Sequence, residues 1–408
     1  MLAATAGTLA TAVAGCSNVL NDDTPEVVVR GDVARARQSW PSFNGHNANA
    51  AYSPNGTPVR SEPSAAWRRP VDVSYGYPVV GPKHVFYPDG NALRAFDVED
   101  GIEQWSRTVI DRTDYDLGLT TPPAALFPRI NGGDGPFLVV VGVTGERNEL
   151  RAYTVDGDLA WQTPTPAGGR LVAAPAYDPT TKRVCVGTTA GRVLCVDAPT
   201  GEPVWSRRVF GAVEAGPAID EESVVVTTTA GNVYGLATAD GVGRWRASLD
   251  APIHCAPTKA GDLTVLLDDT GRLYGFEGVP GAAWTNAIGA AIQYPGVATD
   301  GERAYSVTLG RPGDELVAAD LRSGRRRWSV GLGGVDGGNL PAVVDDTIYA
   351  TASDTLAAFS NGDVGFLEAR ERWRWQPDGS VTGPVVAAIG RLFVVVSDDG
   401  EYELVALE

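Results

Sequence analysis

Three histidines, four cysteines and a few paired carboxylates are the residues of this chain whose types could carry chemistry. His46, His84 and His254 stand far apart, and none lies in an HExxH pair or a cluster with metal-ligand spacing. No GxSxG elbow and no phosphate-cradling Walker loop occurs. The doublets Asp268-Asp269, Asp345-Asp346 and Asp398-Asp399 could share protons as acid–base pairs. Each falls in or near a turn, however, where carboxylates are ordinarily solvated surface. There is no CxxC, which excludes a zinc ribbon or a thioredoxin-like site. Cys185 and Cys195 flank the tight turn "TTAG"; they either face each other across a hairpin or are two small buried hydrophobes. With Cys16 set aside, Cys185, Cys195 and Cys255 are an odd number and do not make a closed disulfide framework. No catalytic constellation emerges.

What recurs is structural. "RVLCVDAPTGEPVW" (192–205), "NVYGLATADGVGRW" (232–245) and "RLYGFEGVPGAAW" (272–284) follow one template. Trp67, Trp105, Trp161, Trp205, Trp245, Trp284, Trp328 and Trp373 (or Trp375) recur mostly every 38 to 45 residues. Pro78, Pro122, Pro175, Pro217, Pro257, Pro295, Pro341 and Pro384 run in phase, each ahead of an apolar strand. Two markers at one period mean eight repeats. Within 216–245 the pieces "GPAID", "SVVVTTT", "NVYGLAT" and "GRW" are separated by Ala230-Gly231 and Asp240-Gly241, pairs that supply the positive φ of tight hairpins. Four short antiparallel strands per repeat predict the blade of an all-β, eight-bladed propeller of four-stranded blades. The last repeat stops after its third strand, and an unmatched Trp67 stands upstream of the first. The strand around Trp67 is therefore expected to complete blade eight and close the ring.

The spacing A-x-D-x-x-x-G-x-x-x-W, seen at Ala95, Asp97, Gly101 and Trp105 and at Ala318, Asp320, Gly324 and Trp328, is similar to the tryptophan-docking motif of the quinoprotein (pyrroloquinoline quinone, PQQ-type) propellers. Cys195, Asp197, Gly201 and Trp205 repeat it with Cys at the small position; the turns before Trp161 and Trp284 close one residue shorter. The resemblance covers about residues 67–408 and extends to the BamB-like architecture. It implies that each docking indole lies against the Gly and the Ala of a neighbouring blade, burying roughly 150–250 Å². It also directs attention to the axis, where residues ahead of each strand-opening Pro converge: Tyr75, Tyr77, Thr121, Glu214, His254, Cys255, Gln293, Tyr294, Asn339 and Thr382. Of these, Tyr77, Glu214, His254, Gln293, Tyr294 and Asn339 are the candidates for a polar, aromatic funnel. Quinoprotein dehydrogenases carry an adjacent Cys-Cys pair over the quinone and Glu, Asn and Asp ligands for calcium. This chain has no Cys-Cys pair and lacks the long insertions that roof that pocket.

Composition bounds the partners. A net charge of −17 excludes a general grip on nucleic acid. Lys83, Lys182 and Lys259 are the only lysines; an acidic, Lys-poor balance of this kind resembles the proteins of extreme halophiles. "MLAATAGTLATAVAGC" reads as a secretion leader too short to span a bilayer, and Val13-Ala14-Gly15-Cys16 resembles a lipobox with Cys16 as the lipidated residue. No Arg or Lys precedes the apolar stretch. The expected organisation is a signal peptide (1–16), a flexible acidic tether (17–39), an ordered strap (40–66) and the propeller (67–408). The expected function is a monomeric, non-catalytic, lipid-anchored extracytoplasmic scaffold for a protein partner or small ligand, without cofactor or metal. The alternative is a PQQ- and calcium-dependent dehydrogenase, or another propeller enzyme, working in the funnel.

Overall fold

In the computed structural model, which describes residues 40, 45, 48–53, 56–72, 77–109, 119–120, 124–126, 138–144, 148–165, 169–278, 281–290, 296–309, 313–334, 339–361 and 369–408, every regular element is a β-strand. Blade 4 shows how the sequence makes one. Ala218–Ile219, Ser223–Thr227, Asn232–Ala237 and Gly243–Ser248 pair antiparallel in chain order. Gly231 and Gly241, at φ +74° and +68°, make the two reversals. The same meander forms blades 1 (79–108), 2 (119–164), 3 (176–208), 5 (258–287), 6 (298–333) and 7 (342–375). Their innermost strands touch in sequence all the way round, the last (Val386–Ala388) meeting both its predecessor and that of blade 1.

Blade 8 is built from both chain ends. Ala65–Val71 pairs antiparallel with Glu401–Leu407, and Ser64 and Glu408 exchange backbone hydrogen bonds beyond the last strand pair. Trp67 is thereby the outer-strand tryptophan of the final blade. The eight-bladed all-β ring, closed by an N-terminal strand, is the architecture expected from the repeat.

Three strands cooperate beneath each tryptophan. Directly opposite it, in its own blade, stands a small residue: Ala95 for Trp105, Ala152 for Trp161, Cys195 for Trp205, Gly235 for Trp245, Gly275 for Trp284, Ala318 for Trp328, Ala358 for Trp373 and Ala406 for Trp67. Opposite that small residue, on the second strand, stands a larger one, such as Phe86, Val140, Tyr305, Tyr349 or Phe393. Only the glycine belongs to the neighbour. This corrects the expectation that both small residues lie in the adjacent blade: cross-strand register puts the Ala or Gly under its own indole.

The next blade receives the other face of the ring. Trp67 lies on Gly101, Trp105 on Gly157, Trp161 on Gly201, Trp205 on Gly241 and Trp284 on Gly324. Four indoles also donate to the backbone of that turn: Trp67 to Val98 O (3.2 Å), Trp105 to Val155 O (2.7 Å), Trp161 to Ala198 O (2.9 Å) and Trp205 to Thr238 O (2.9 Å). Trp245 departs from the pattern: Gly278 and Gly281 of blade 5 have nothing packed on them, and the indole stacks on Phe276 at 5.8 Å. Trp373 donates instead to Val59 O (3.0 Å), while the turn that follows Trp328 in blade 7 lies outside the described residues. Residues two places beyond the tryptophan tie the same seams. Arg69, Arg107 and Arg207 donate through Nε to the carbonyls of Gly101, Gly157 and Gly241, at 2.7, 2.7 and 3.0 Å.

Candidate functional site

The N-terminal strap fills the axis. Trp40 exchanges backbone hydrogen bonds with Val80, the last residue of blade 1's inner strand. The carbonyls of Ala48, Ala50, Ala51 and Ser53 then accept from Lys259, Thr299, Val343 and Asp345, in blades 5, 6 and 7. The segment has therefore crossed from one side of the ring to the other. Ala50 and Ala51 are fully buried. Asn49, at φ +56°, sends its side-chain amide to Gly216 O (3.3 Å), Pro217 O (3.0 Å) and Pro257 O (3.0 Å). Buried carbonyls at the inner strands of blades 4 and 5 need donors, and one amide supplies them.

Trp40 and Ser53 sit where inner strands finish, whereas Glu214 and His254 precede the inner strands that begin at Ala218 and Thr258, and the amide of Asn49 is held beside the start of those two strands. His254 is partly buried there; its Nδ1 lies 2.7 Å from Asp269 Oδ2, and its backbone N–H donates to Asp269 Oδ1 (3.2 Å). A carboxylate on Nδ1 orients an imidazole and leaves Nε2 to face outward. Glu214, one blade away, is exposed. Asn339 is turned toward its own blade and donates to Thr351 Oγ1 (3.2 Å); Tyr77 packs its ring against Gly383 of blade 8. Cys255 does not line the mouth. It is fully buried, and burial pushes its thiol up to about 12, so that it is no nucleophile. Tyr75, Thr121, Gln293, Tyr294 and Cys16 lie outside the described residues.

Sequence reasoning missed three participants. Asn49 looked like a loop residue of the Asn-rich lead-in, and Asp269 like a turn residue of an acidic chain. The third is Phe210, in the loop 209–217 that crosses this face from blade 3 to blade 4. Its backbone is pinned at both ends: Phe210 N–H donates to Tyr234 Oη (3.1 Å), and Asn232 Nδ2 donates to Phe210 O (3.4 Å). Arg246 lies over the Tyr234 ring at 5.3 Å and braces it. The Phe210 ring itself is 70% exposed, the most exposed large apolar side chain among the described residues. An exposed Phe in a "VFGAVEAG" loop has no sequence signal that separates it from a buried one.

A family described as outer membrane protein assembly factor BamB matches residues 60–241 and, again, 190–408. The chain belongs to this BamB family. No curated protein matches it. Among solved structures it is similar to the quinohemoprotein alcohol dehydrogenase of Comamonas testosteroni, at 12% identity and TM-score 0.71, over 94% of this chain and 82% of that one. The C-terminal WD40 domain of Sif2 aligns at 12% identity and TM-score 0.67, over 85% and 99%. BamB of Moraxella catarrhalis aligns at 16% identity and TM-score 0.45, over 66% and 93%. At such identities the likeness to the first two is one of fold.

Among the described residues no three of His, Cys, Asp and Glu stand together as they would to hold a metal ion. The carbonyl groups nearest the axis in blades 4 and 5 are already taken by Asn49. What the arrangement offers is an exposed aromatic side chain on a hydrogen-bonded backbone, an imidazole held by a carboxylate, and exposed carboxylates on one face.

Proposed function

We propose that this member of the BamB family is a non-catalytic, extracytoplasmic scaffold, anchored by lipid on Cys16, whose funnel face docks a protein partner. The observation that carries the reading is Phe210, a ring held in solvent by a backbone that is itself fixed. The backbone that carries the ring loses little freedom on binding, and aromatic anchors of this kind dominate protein interfaces. Glu214, Asp250 and the His254–Asp269 pair, in the loops that enter blades 4 and 5 on the same face, add polar groups of the sort that rim an interface. Family membership supports a role in assembly outside the cytoplasm, and the leader ending at Cys16 supports the anchor. The Lys-poor, acidic composition supports a habitat of strong salt.

The test is a photo-reactive phenylalanine placed at position 210 in the native cell envelope, with position 242 on the outer rim as the control. The expected result is a discrete cross-linked partner from 210 and none from 242. No adduct from 210, together with a bound chromophore and alcohol-dependent dye reduction after addition of PQQ and calcium, establishes the dehydrogenase reading instead.

A further inference from the structure

In blade 3 the three-strand stack beneath the docking tryptophan is different in kind. Where other blades set a bulky residue against a small one, this blade has Cys185 against Cys195, directly opposite in register, 4.1 Å apart at Cα and joined by a disulfide. Both are fully buried. Trp205 stands opposite Cys195 and is itself sealed by Gly241 and Thr238 of blade 4. The bond therefore has to form while the hairpin 183–197 is open, before blades 3 and 4 close over it.

The same apolar cluster contains Val209 and Val213, which flank Phe210 on both sides, together with Cys185, Cys195 and Trp205. The strand Pro203–Arg208 pairs with Cys195's strand and runs straight into that loop. The support under Phe210 is thus continuous with the disulfide. We propose that the Cys185–Cys195 bond is an oxidation-set brace for the Phe210 loop, so that the docking face is rigid only in protein folded in a disulfide-forming compartment.

The chemistry balances with one external reactant, a thiol–disulfide oxidant. One cysteine thiolate attacks the oxidant's S–S bond, giving a mixed disulfide; the second displaces the oxidant's remaining thiolate. Two thiols here lose two protons and two electrons, and the oxidant's disulfide becomes a dithiol. Such bonds persist in oxidising compartments and are rare in the cytosol. Cys255, in the neighbouring cluster and fully buried, offers no exposed thiol to compete.

The brace rests on the docking reading, but its test does not need a partner. The packing-neutral variant is already written in blade 2, where Val140 faces Ala152. Purified wild type and the double variant Cys185→Val/Cys195→Ala are compared with and without reductant by mass spectrometry, thermal melting and hydrogen exchange of residues 209–213. For wild type the expected results are a mass two hydrogens below the dithiol, a melting temperature lowered by about 3–6 °C on reduction, and at least tenfold faster exchange in the loop. The double variant is expected to be indifferent to reductant. Alkylation mapped to Cys185 and Cys195 in unreduced wild type unfolded in denaturant, or loop exchange unchanged by reduction, overturns the brace. Failure of the position-210 cross-link would overturn only the docking.

Discussion

At the scale of single residues, what matters is how little room the docking turns leave. A Cβ added at Gly241 would lie 2.6 Å from Trp205 Cε3 and 2.7 Å from its Cδ2, at a φ of +68° that side chains rarely adopt. Gly278, at φ +73°, has the same backbone handedness but nothing within 4 Å. The two positions separate packing from strain. Gly241→Val is expected to cost about 2–4 kcal/mol, through overpacking added to strain. Gly278→Ala carries the strain alone and is expected to cost about 1 kcal/mol. Chemical denaturation of both variants measures the difference; equal losses would mean that the Gly–Trp contact adds nothing to the turn. The motif spacing made Gly241 legible from the sequence. The contrast with Gly278 was not, because blade 5 keeps the glycines while its turn geometry leaves them unvisited by Trp245.

At the scale of elements, two segments that carry no repeat of their own hold the ring together. The strand Ala65–Val71 supplies the outer edge of blade 8, and the strap from Trp40 to Ser53 ties blade 1 to blades 4, 5, 6 and 7 through the axis. Removing residues 1–72 is expected to expose the edge of Glu401–Leu407 and empty the channel, giving aggregation or a large fall in melting temperature. Removing residues 1–39 leaves every one of these contacts in place and is expected to melt with the full chain. Equal melting of the two truncations would show that ring closure does not depend on the N-terminal strand. Counting tryptophans revealed that strand, because the final repeat lacks one. The strap was harder: "NANAA" has no periodicity, and only the approach of eight inner strands tells that an asparagine there meets three carbonyls.

At the scale of the whole molecule, the ring has two unlike faces. Trp40 joins the chain to one, at the end of blade 1's inner strand; the other carries His254 and Phe210, ahead of the inner strands of blades 5 and 4. With a net charge of −17 the chain as a whole is repelled by an anionic membrane, so the proposed retention would rest on the anchor. Cys16→Ser is expected to move the protein from the membrane fraction to the soluble fraction, or to leave unprocessed precursor, without changing the melting temperature of the propeller. One acyl chain alone holds weakly, so firm retention of wild type implies two chains or further contacts. Wild type recovered soluble, with a free Cys16 thiol, would remove the anchor and leave the fold as it is.

Local chemistry in the sequence determined the repeat count, the four-stranded blade and the closure. Alternating apolar residues, Gly turns and one Trp per unit are each satisfied within a blade or by the next one, so their spacing is enough to read them. Whether Cys185 and Cys195 bond or merely pack was decided by cross-strand register, which a one-residue slip would have changed. The funnel was only half legible. Of the positions ahead of each Pro that are described, Glu214 is exposed and His254 half-buried, Asn339 turns to its own blade and Cys255 is buried, and what each meets depends on which chain segment lies beside it. Asn49 beneath blades 4 and 5, Asp269 on His254 and the outward ring of Phe210 come from residues 15 to more than 200 positions apart, or from a loop held by its neighbour blade. Such long-range contacts have no period along the chain, and only the closed ring brings them together.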